Sequence, residues 1–312
     1  MKILVTCPPM LGMIESFRYL FAERGIELSA PNVVQTMSVD ELKEIVPQHD
    51  GWIIGDDPAT REVFEAGKAG NLKAAVKWGI GVDNVDFDAC KDLDIPIINT
   101  PDMFGREVAD VAMGYVIALA RETFEIDRAV RKGEWIKPRG ISLSGKTVAL
   151  VGFGDIGKNT AKRLLAADMK VIAYDPFLQF ESNVWVNVEK LDLDSVLKRS
   201  DIVSMHIPLN EQTKHLISGA RLKLMQSSGI LINAARGGVV DENALVEALL
   251  KGELAGAAID VFESEPLSDT NASKFKNIDN LLITPHIAGL TSESNTRVSF
   301  LTAQTVAEFI AK

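Results

Sequence analysis

The stretch from residue 147 to residue 175 constrains the fold of this chain more than any other. A short aliphatic run, Thr147–Val151, leads into Gly152-Phe-Gly-Asp-Ile-Gly157, which has the spacing G-x-G-x-x-G. An amphipathic stretch follows over Lys158–Ala167, and a second apolar run covers Val171–Tyr174. The pattern predicts strand, glycine turn, helix and strand, the opening unit of a doubly wound parallel sheet.

The glycine turn predicts a dinucleotide site. The first glycine permits a tight bend, the second lets a pyrophosphate approach the backbone, and the third lets the helix pack closely on the strand. A lone motif of this kind is often only a structural turn, but Asp175 also ends the second strand, where a carboxylate accepts hydrogen bonds from a ribose 2′-hydroxyl. That carboxylate would repel a 2′-phosphate, and the following Pro176 and Phe177 carry no positive charge. We therefore expect NAD(H) rather than NADP(H).

Composition excludes several classes of partner. The 312 residues are 46% hydrophobic, which is ample for buried cores, and the formal net charge is -10 with a pI near 5.0. Nucleic-acid and anionic membrane surfaces need clustered Lys and Arg, so neither partner is expected. No metal site is predicted either.

The cysteines and the N-terminus indicate a compartment. Cys7 and Cys90 stand in apolar surroundings, and we interpret both as reduced, buried side chains. The first apolar run is too short for a signal peptide, and no run approaches the roughly 18 residues of a membrane span. The sequence therefore predicts a cytoplasmic protein.

The chain is predicted to form two α/β domains. Residues 1–100, joined by residues 287–312, alternate strand and helix without a G-x-G-x-x-G motif, and we assign them to a flavodoxin-like substrate domain. Residues 101–286 form a doubly wound Rossmann domain for NAD, inserted into the first domain. Because the chain crosses twice between the domains, we expect a cleft between them.

Local patterns predict individual elements. One helix is expected over Gly12–Arg24 and another over Ser38–Val46, which opens with a Ser38/Glu41 capping box. The Rossmann domain is expected to have six strands. A C-terminal helix over roughly Glu293–Ala311 is expected to pack on the first domain.

Three side chains suited to acid-base chemistry follow the last three predicted strands: Arg236, Glu265 and His286. Ligands bind at the carboxyl ends of parallel strands, so these positions are expected to converge. Taken singly, a surface ion pair, a solvated loop acid and a structural histidine would explain them. Together they supply a cation for a carboxylate, a general acid near neutral pH, and a carboxylate that should raise the pKa of the imidazole. This set suits hydride transfer to a 2-keto acid.

The sequence resembles the D-isomer-specific 2-hydroxyacid dehydrogenases over essentially its whole length. The matching stretches, in chain order, are Gly79-Ile-Gly-Val-Asp-Asn-Val-Asp86, Val151-Gly-Phe-Gly-Asp-Ile-Gly157, His206-Ile-Pro-Leu-Asn-Glu-Gln-Thr-Lys-His215, Ile232-Asn-Ala-Ala-Arg-Gly-Gly238, Asp260-Val-Phe-Glu-Ser-Glu-Pro266 and Thr284-Pro-His-Ile-Ala-Gly289.

The resemblance implies a role for each site residue. Arg236 would bind the substrate carboxylate, together with backbone amides near Ile80 and Gly81. His286 would be the acid in reduction and the base in oxidation, with Glu265 as its partner. The implied cofactor positions are Gly152, Phe153, Gly154, Asp155, Ile156, Gly157, Asp175 and Pro176 around the glycine turn, His206 and Pro208 along the adenosine, and Ala234, Asp260 and Gly289 around the nicotinamide; Thr213, Ala235, Arg236 and His286 complete the set. Asp260 would accept a hydrogen bond from the carboxamide.

The branch within the family stays open. Formate dehydrogenases of the family carry glutamine where this chain has Glu265, which disfavours formate oxidation. Short sequence motifs of this chain are similar to those of the phosphoglycerate dehydrogenases. We expect no regulatory C-terminal domain of the kind found in many members of that branch. Lys77, Trp78 and Asp110 depart from the Arg, small residue and Glu usual in that branch. Trp78 either narrows the substrate pocket or packs in the core.

The main hypothesis is an NAD-dependent oxidoreductase that interconverts a D-2-hydroxy acid and its 2-keto acid. Alternatives within the enzyme class are phosphoglycerate oxidation and glyoxylate or hydroxypyruvate reduction. A non-enzymatic alternative is an NADH-sensing binding protein resembling the family's corepressors, which an added tail or a basic segment would indicate. The resemblance also implies a homodimer formed through the helices at roughly 102–140.

Overall fold

Two parallel β-sheets form in this computed structural model, one in each of two compact units of the chain. The structure describes residues 1–177 and 185–311. The first unit contains Met1–Phe104 and the residues from Leu290 onward, and the second contains Gly105–Gly289. The boundaries expected from the sequence, after residues 100 and 286, fall a few residues earlier.

The sheet of the first unit has the strand order β2-β1-β3-β4-β5, and every pairing in it is parallel. Its strands are Lys2–Val5 (β1), Glu27–Ser29 (β2), Gly51–Ile54 (β3), Ala74–Lys77 (β4) and Ile97–Ile98 (β5). This is the flavodoxin-like order, in which the direction of winding reverses between β1 and β3. The flavodoxin-like expectation for the first unit is confirmed.

The sheet of the second unit has the order β12-β11-β10-β9-β6-β7-β8, again with parallel pairings. Its strands are Thr147–Val151 (β6), Lys170–Tyr174 (β7), Val188–Lys190 (β8), Ile202–Met205 (β9), Ile230–Asn233 (β10), Gly256–Ile259 (β11) and Leu281–Ile283 (β12). The sequence predicted six of these. It missed β8, a short edge strand with two of its three residues exposed, because such a strand lacks an apolar run.

Helices connect the strands in both units. In chain order they are Pro8–Leu11 (α1), Arg18–Ala22 (α2), Val39–Ile45 (α3), Arg61–Ala69 (α4), Phe87–Asp92 (α5), Gly105–Ala120 (α6), Thr123–Arg131 (α7), Asp155–Ala166 (α8), Leu193–Arg199 (α9), Gly219–Leu222 (α10), Glu242–Leu250 (α11), Asp269–Ser273 (α12) and Ser292–Ile310 (α13). The last of these packs against β3 and β4 of the first unit. In the described part of the chain, no helix has the length and apolar character that crossing a membrane requires.

Of two helices predicted from local sequence signals, one begins as expected and the other does not form. The Ser38/Glu41 capping box is present: the Ser38 hydroxyl accepts from the Glu41 amide at 3.3 Å, and the Glu41 carboxylate accepts from the Ser38 amide at 2.8 Å. The single helix predicted over Gly12–Arg24 is wrong. Helix α1 starts earlier, because a proline is well tolerated in the first turn of a helix, and a 3₁₀ turn at Ile14–Ser16 separates it from α2.

Apolar side chains alternate between the two faces of the second sheet. On β6, Ala149 and Val151 join one buried cluster, with residues of α9 and α11, while Val148 and Leu150 join another, with residues of α6 and α8. Successive side chains of a strand point to opposite faces, so both faces of this sheet are covered by helices. The doubly wound expectation is confirmed.

Trp78 belongs to the core of the first unit. Its side chain is 7% exposed, its indole N–H donates to the Ser299 hydroxyl at 3.0 Å, and its ring lies 5.6 Å from that of Phe104. Of the two alternatives left open by the sequence, packing in the core is the one that these contacts favour.

Candidate active site

Three adjacent strands of the second unit bring the predicted catalytic residues to one edge. Strand β11 lies between β10 and β12, and all three run parallel. Arg236 follows β10, Glu265 follows β11 and His286 follows β12. The carboxyl ends of neighbouring parallel strands share an edge, so the three loops are neighbours.

The side chains of His286 and Glu265 are hydrogen-bonded to each other. The imidazole Nδ1 lies 2.7 Å from Glu265 Oε2, and the other carboxylate oxygen accepts the Phe262 amide at 2.7 Å. The two side chains are 35% and 25% exposed, so the pair is accessible yet partly shielded from water. The pairing expected from the resemblance is thus geometrically present, and a carboxylate in this position favours a protonated imidazole.

Asp260 holds the loop that carries His286. Its carboxylate is fully buried and accepts the backbone amides of Ile287 at 2.9 Å and Ala288 at 2.8 Å. Its backbone oxygen accepts the His286 amide at 2.7 Å. His286 has a left-handed backbone, with φ of 55°, which a residue with a side chain adopts only under such constraint. The sequence assigned Asp260 to the nicotinamide carboxamide and did not anticipate this structural role.

The hydroxyl groups of Thr284 and Tyr115 are bonded together beside Asp260 in this loop. The Thr284 hydroxyl donates to Asp260 at 2.5 Å and lies 2.5 Å from the Tyr115 hydroxyl on α6. Burial raises the pKa of Tyr115 to about 12, so the phenol stays protonated. Sequence reasoning missed both residues, and the adjacency of Thr284 to Pro285-His286 was the only available signal.

The Arg236 turn is fixed by Asn233 at the end of β10. The Asn233 amide group donates to the Arg236 carbonyl at 2.9 Å, and its oxygen accepts the Ala235 amide at 3.1 Å. The guanidinium donates to the Ala235 carbonyl at 2.8 Å, and Arg236 is half-buried. Ala234, with 9% exposure, lies in the same turn.

The glycine turn requires glycine at two of its three glycine positions and is open at the third. Gly152 has φ of 99°, and a Cβ on Gly157 would lie 2.4 Å from the Gly152 carbonyl oxygen, so both positions require glycine. A Cβ on Gly154 would meet no heavy atom within 4 Å, so this side of the turn is open. Helix α8 begins at Asp155 and presents its N-terminus there, as phosphate binding requires. Phe153, Asp155 and Ile156 belong to this turn and the first turn of α8.

Asp175 ties the glycine turn to the end of β7. Its carboxylate accepts the Phe153 amide at 2.9 Å and the Phe177 amide at 2.8 Å. Pro176 is exposed beside it. The acid therefore stands at the tip of the second strand, as expected, next to the glycine turn.

The other residues that the resemblance implies for cofactor binding lie at three separate positions of the second unit. His206 follows β9, its Nε2 lies 3.0 Å from the Ser204 hydroxyl, and desolvation of the ring lowers the pKa of His206 to about 4. The Thr213 hydroxyl donates to the Pro208 carbonyl at 2.7 Å, which closes the loop after His206. Gly289 is the last residue of the second unit.

Ile80 and Gly81 lie in the first unit, in the turn after β4. This turn is anchored by Gly79, whose amide donates to the Thr100 hydroxyl at 3.0 Å, and by Asn99, whose side chain donates to the Ile80 carbonyl at 2.9 Å. Both residues are half-buried. Over residues 1–177 and 185–311, no three His, Cys, Asp or Glu side chains are grouped so as to hold a metal ion.

Comparison with known proteins places this site in a family. Residues 113–288 match the model of the NAD binding domain of D-isomer specific 2-hydroxyacid dehydrogenases. A hydroxypyruvate reductase from Thermotoga maritima is 41% identical over 287 residues, covering 91% of each protein. A D-3-phosphoglycerate dehydrogenase from Archaeoglobus fulgidus is 36% identical over 309 residues, but the chain spans only 56% of that relative.

A solved structure gives the same result for the fold. D-lactate dehydrogenase from Aquifex aeolicus, complexed with NAD and lactic acid, superposes with a TM-score of 0.87 at 27% identity, covering 100% of this chain and 96% of that one. The family model, the relatives and this structure all point to the same family. The chain belongs to the family of D-isomer-specific 2-hydroxyacid dehydrogenases, and it is an NAD-dependent oxidoreductase that interconverts a D-2-hydroxy acid and its 2-keto acid.

Proposed function

We propose that this enzyme reduces hydroxypyruvate or glyoxylate with NADH, with His286 as the general acid. The observation that carries the proposal is the 2.7 Å pair of His286 and Glu265 in the same unit as the glycine turn. Support for the substrate comes from the hydroxypyruvate reductase that aligns with 91% of this chain.

The first unit offers further support for a substrate without a phosphate. Lys77, at the end of β4, has its ammonium 2.5 Å from the Gly55 carbonyl and 3.0 Å from the Asp56 carboxylate. The Lys77 side chain is 3% exposed, whereas that of Asp56 is 59% exposed. A phosphate near these strand ends would meet a solvent-facing carboxylate rather than a solvent-facing cation, which disfavours a phosphorylated keto acid.

The residues of the second unit supply the groups that reduction needs. When bound, NADH supplies the hydride, and the glycine turn, the start of α8 and Asp175 would hold it. Arg236, with its planar guanidinium, would bind the substrate carboxylate, together with the amides of Ile80 and Gly81. His286 would give the proton from Nε2, the nitrogen that is not engaged by Glu265, to the carbonyl oxygen. In oxidation the same nitrogen takes the proton back.

Two experiments test this proposal. The first follows NADH consumption with glyoxylate, hydroxypyruvate, pyruvate, branched and aromatic keto acids and 3-phosphohydroxypyruvate, with NADPH in parallel. We expect the highest kcat/KM for hydroxypyruvate or glyoxylate. Preference for the phosphorylated substrate would instead assign the enzyme to phosphoglycerate oxidation, and no turnover with intact NADH binding would favour a sensor.

The second experiment replaces His286 with Ala. We expect kcat to fall by roughly 10²- to 10⁴-fold, because the general acid is lost, while the Kd for NADH measured by fluorescence changes little. Activity close to that of the wild type would show that another group supplies the proton.

The same proposal includes a homodimer in the cytoplasm. Apolar side chains are exposed on α6, α7 and the segment that follows: Ile117 at 42%, Phe124 at 54%, Val130 at 44% and Trp135 at 78%. A surface of this kind supports burial against a second copy. The buried free thiols Cys7 and Cys90 support a reducing compartment. Sedimentation analysis of the wild type and of Phe124→Ser/Trp135→Ser tests the dimer, which the double variant should dissociate.

A further inference from the structure

Four charged or titratable side chains of the second unit form a cluster next to the Glu265 loop, although the proposed reaction uses none of them. Glu242 begins α11, Glu263 lies between β11 and Glu265, and His215 and Lys274 come from two other segments. We call these residues the Glu242 cluster. His215 Nε2 lies 3.1 Å from Glu263 Oε1, and Lys274 Nζ lies 2.5 Å from Glu242 Oε2.

The two glutamates exchange reciprocal hydrogen bonds. The Glu263 amide donates to Glu242 Oε1 at 2.5 Å, and the Glu242 amide donates to Glu263 Oε1 at 3.2 Å. The Glu242 side chain is only 5% exposed, whereas those of Lys274, Glu263 and His215 are 30%, 35% and 40% exposed. Glu242 is thus the buried centre of the cluster. Burying a carboxylate is costly, and its bonds to Lys274 and to a backbone amide offset that cost.

The bond from the Glu263 amide to Glu242 fixes a peptide unit that adjoins the one bound by Glu265. The Phe262 amide donates to Glu265 Oε1 at 2.7 Å, and the very next amide donates to Glu242. On the other side, a Cβ on Gly237 would lie 2.0 Å from the Phe262 carbonyl carbon, so the Arg236 turn packs directly on the same peptide. The Phe262–Glu263 peptide therefore contacts the turn of Arg236 and adjoins the peptide whose amide binds the carboxylate that pairs with His286.

We propose that Glu242 is a positioning residue for the His286–Glu265 pair, acting through the Glu263 amide. This inference rests on the proposed function, because it takes that pair as the acid-base group. Without Glu242 the amide of the Phe262–Glu263 peptide loses its carboxylate acceptor, so the adjoining Phe262 amide, and with it the Glu265 carboxylate, is held less firmly. Displacements of about 1 Å at such a site cost roughly 10²-fold in rate, so partial loosening costs about 10-fold.

The pH dependence of His286 reports the position of Glu265. The elements that carry or contact the His286 loop bear several charged and titratable groups: Asp260, Glu263 and Glu265 after β11, Arg236 after β10, and Arg106, Glu107, Asp110 and Tyr115 on α6. A well-placed carboxylate favours the protonated imidazole, so moving Glu265 away shifts the titration of His286 to lower pH. A merely structural role of Glu242 would lower the thermal midpoint without this shift.

The experiment compares Glu242→Ala and Glu242→Gln with Glu247→Gln. Glu247 lies on the same helix, α11, and its carboxylate is 64% exposed and pairs with Lys251, which makes it a matched control. Three quantities are measured: kcat and KM for the best keto acid, the Kd for NADH, and the titration of His286 followed by NMR in the enzyme without substrate.

For E242A we expect kcat to fall about 10-fold, with the NADH Kd unchanged and the His286 titration shifted to lower pH. E242Q keeps an oxygen acceptor and should lie between E242A and the wild type, and E247Q should match the wild type. Unchanged kcat and titration in E242A would overturn the inference, even if the variant melts earlier. The NMR titration needs no turnover, so a failure of the proposed substrate would not be mistaken for a failure of this inference.

Discussion

In the second unit, carboxylates that accept backbone amides hold the loops at the strand ends, whereas the strand ends of the first unit add a chain of side chains bonded to one another. Asp260, Glu265 and Glu242 each accept at least one backbone amide of a strand-end loop. In the first unit, the indole N–H of Trp52 donates to Thr6 at 2.9 Å, and the Thr6 hydroxyl donates to Asp57 at 2.5 Å.

The Glu265 contact and the first-unit contacts differ in how many residues separate donor and acceptor along the chain. Glu265 binds an amide three residues away, so its acceptor and its donor lie within one short motif. Thr6 and Asp57 are 51 residues apart, and Lys77 reaches 22 residues back to Gly55. In the second unit, too, Asp260 and Glu242 accept amides 28 and 21 residues away. Short-range contacts such as that of Glu265 keep a recognisable spacing, whereas long-range contacts in either unit leave no pattern in the sequence.

Among the variants that test this comparison, Gly237→Ala should have the largest effect, because it displaces the Phe262–Glu263 peptide of the Glu265 loop, on which the Arg236 turn packs. The added Cβ would lie 2.0 Å from the Phe262 carbonyl carbon, so one backbone segment must move. We expect kcat/KM to fall roughly 10²-fold. Gly238→Ala is the matched control, since its Cβ would meet only Leu209 methyl groups at 3.3 Å or more. Equal activities of the two variants would contradict the shared support.

Glu265→Gln separates the charge of the carboxylate from its shape. The amide oxygen can still accept the Phe262 amide, but an uncharged partner no longer favours the protonated imidazole of His286. We expect kcat to fall about 10-fold and the basic limb of the kcat/KM profile for reduction to move to lower pH. A profile that keeps the position of its basic limb would mean that Glu265 acts by orientation alone.

Prediction from the sequence was strongest where one residue type is required at one position. The glycines of the turn at 152–157, the acid Asp175 and the strands β6, β9 and β10 were all placed correctly, because steric demands and buried apolar runs act locally. The structure also places Arg236, Glu265 and His286 at neighbouring strand ends. Their proposed roles await the experiments above.

Prediction failed where contacts between distant segments decide the structure. The edge strand β8, the helix α4 and the 3₁₀ turn between α1 and α2 were missed or merged. The links of Tyr115 to Thr284 and of Lys274 to Glu242 join segments far apart in sequence, so no local spacing encodes them. The structural role of Asp260 was hidden in the same way, since its amide donors follow a different strand.

Asp57→Ala tests the side-chain network of the first unit. Asp57 is fully buried and accepts from the Thr6 hydroxyl, from the Gly55 amide at 3.2 Å and from the Met37 amide at 2.8 Å. Removing the acceptor leaves three donors without it, which should cost about 2 to 4 kcal/mol of unfolding free energy. Burial raises the pKa of Asp57, so the folded protein already disfavours the charge.

Asp57→Asn should therefore cost clearly less than Asp57→Ala at neutral pH, since it keeps one oxygen acceptor and removes a disfavoured charge. Denaturant unfolding of the first unit is the measurement, with NADH affinity as the check that the second unit is intact. Asp40→Asn, an exposed acid in the first turn of α3, is the control. Equal losses for the Asn and Ala variants would mean that the network depends on the charge itself.

The smallest expected effect concerns one histidine in each unit. Burial lowers the pKa of His49 in the first unit, where its Nδ1–H donates to the Ile45 carbonyl at 2.8 Å, and desolvation lowers that of His206 in the second unit to about 4. Both folded-state values lie below the unfolded value of about 6.5. Each group therefore contributes stability that is complete above about pH 6.5 and is lost as the pH falls, for His206 down to about pH 4.

His49→Gln and His206→Gln should each flatten the pH dependence of one unfolding transition below about pH 6.5, and for His206 the flattened range should end near pH 4. Thermal unfolding with and without NADH separates the transitions, because the cofactor raises the midpoint of the unit that binds it. His206→Gln should flatten the transition that NADH shifts, and His49→Gln the other. If either substitution flattened both transitions, the two units would not unfold independently, and the contrast between their strand ends would have to be tested in the isolated units.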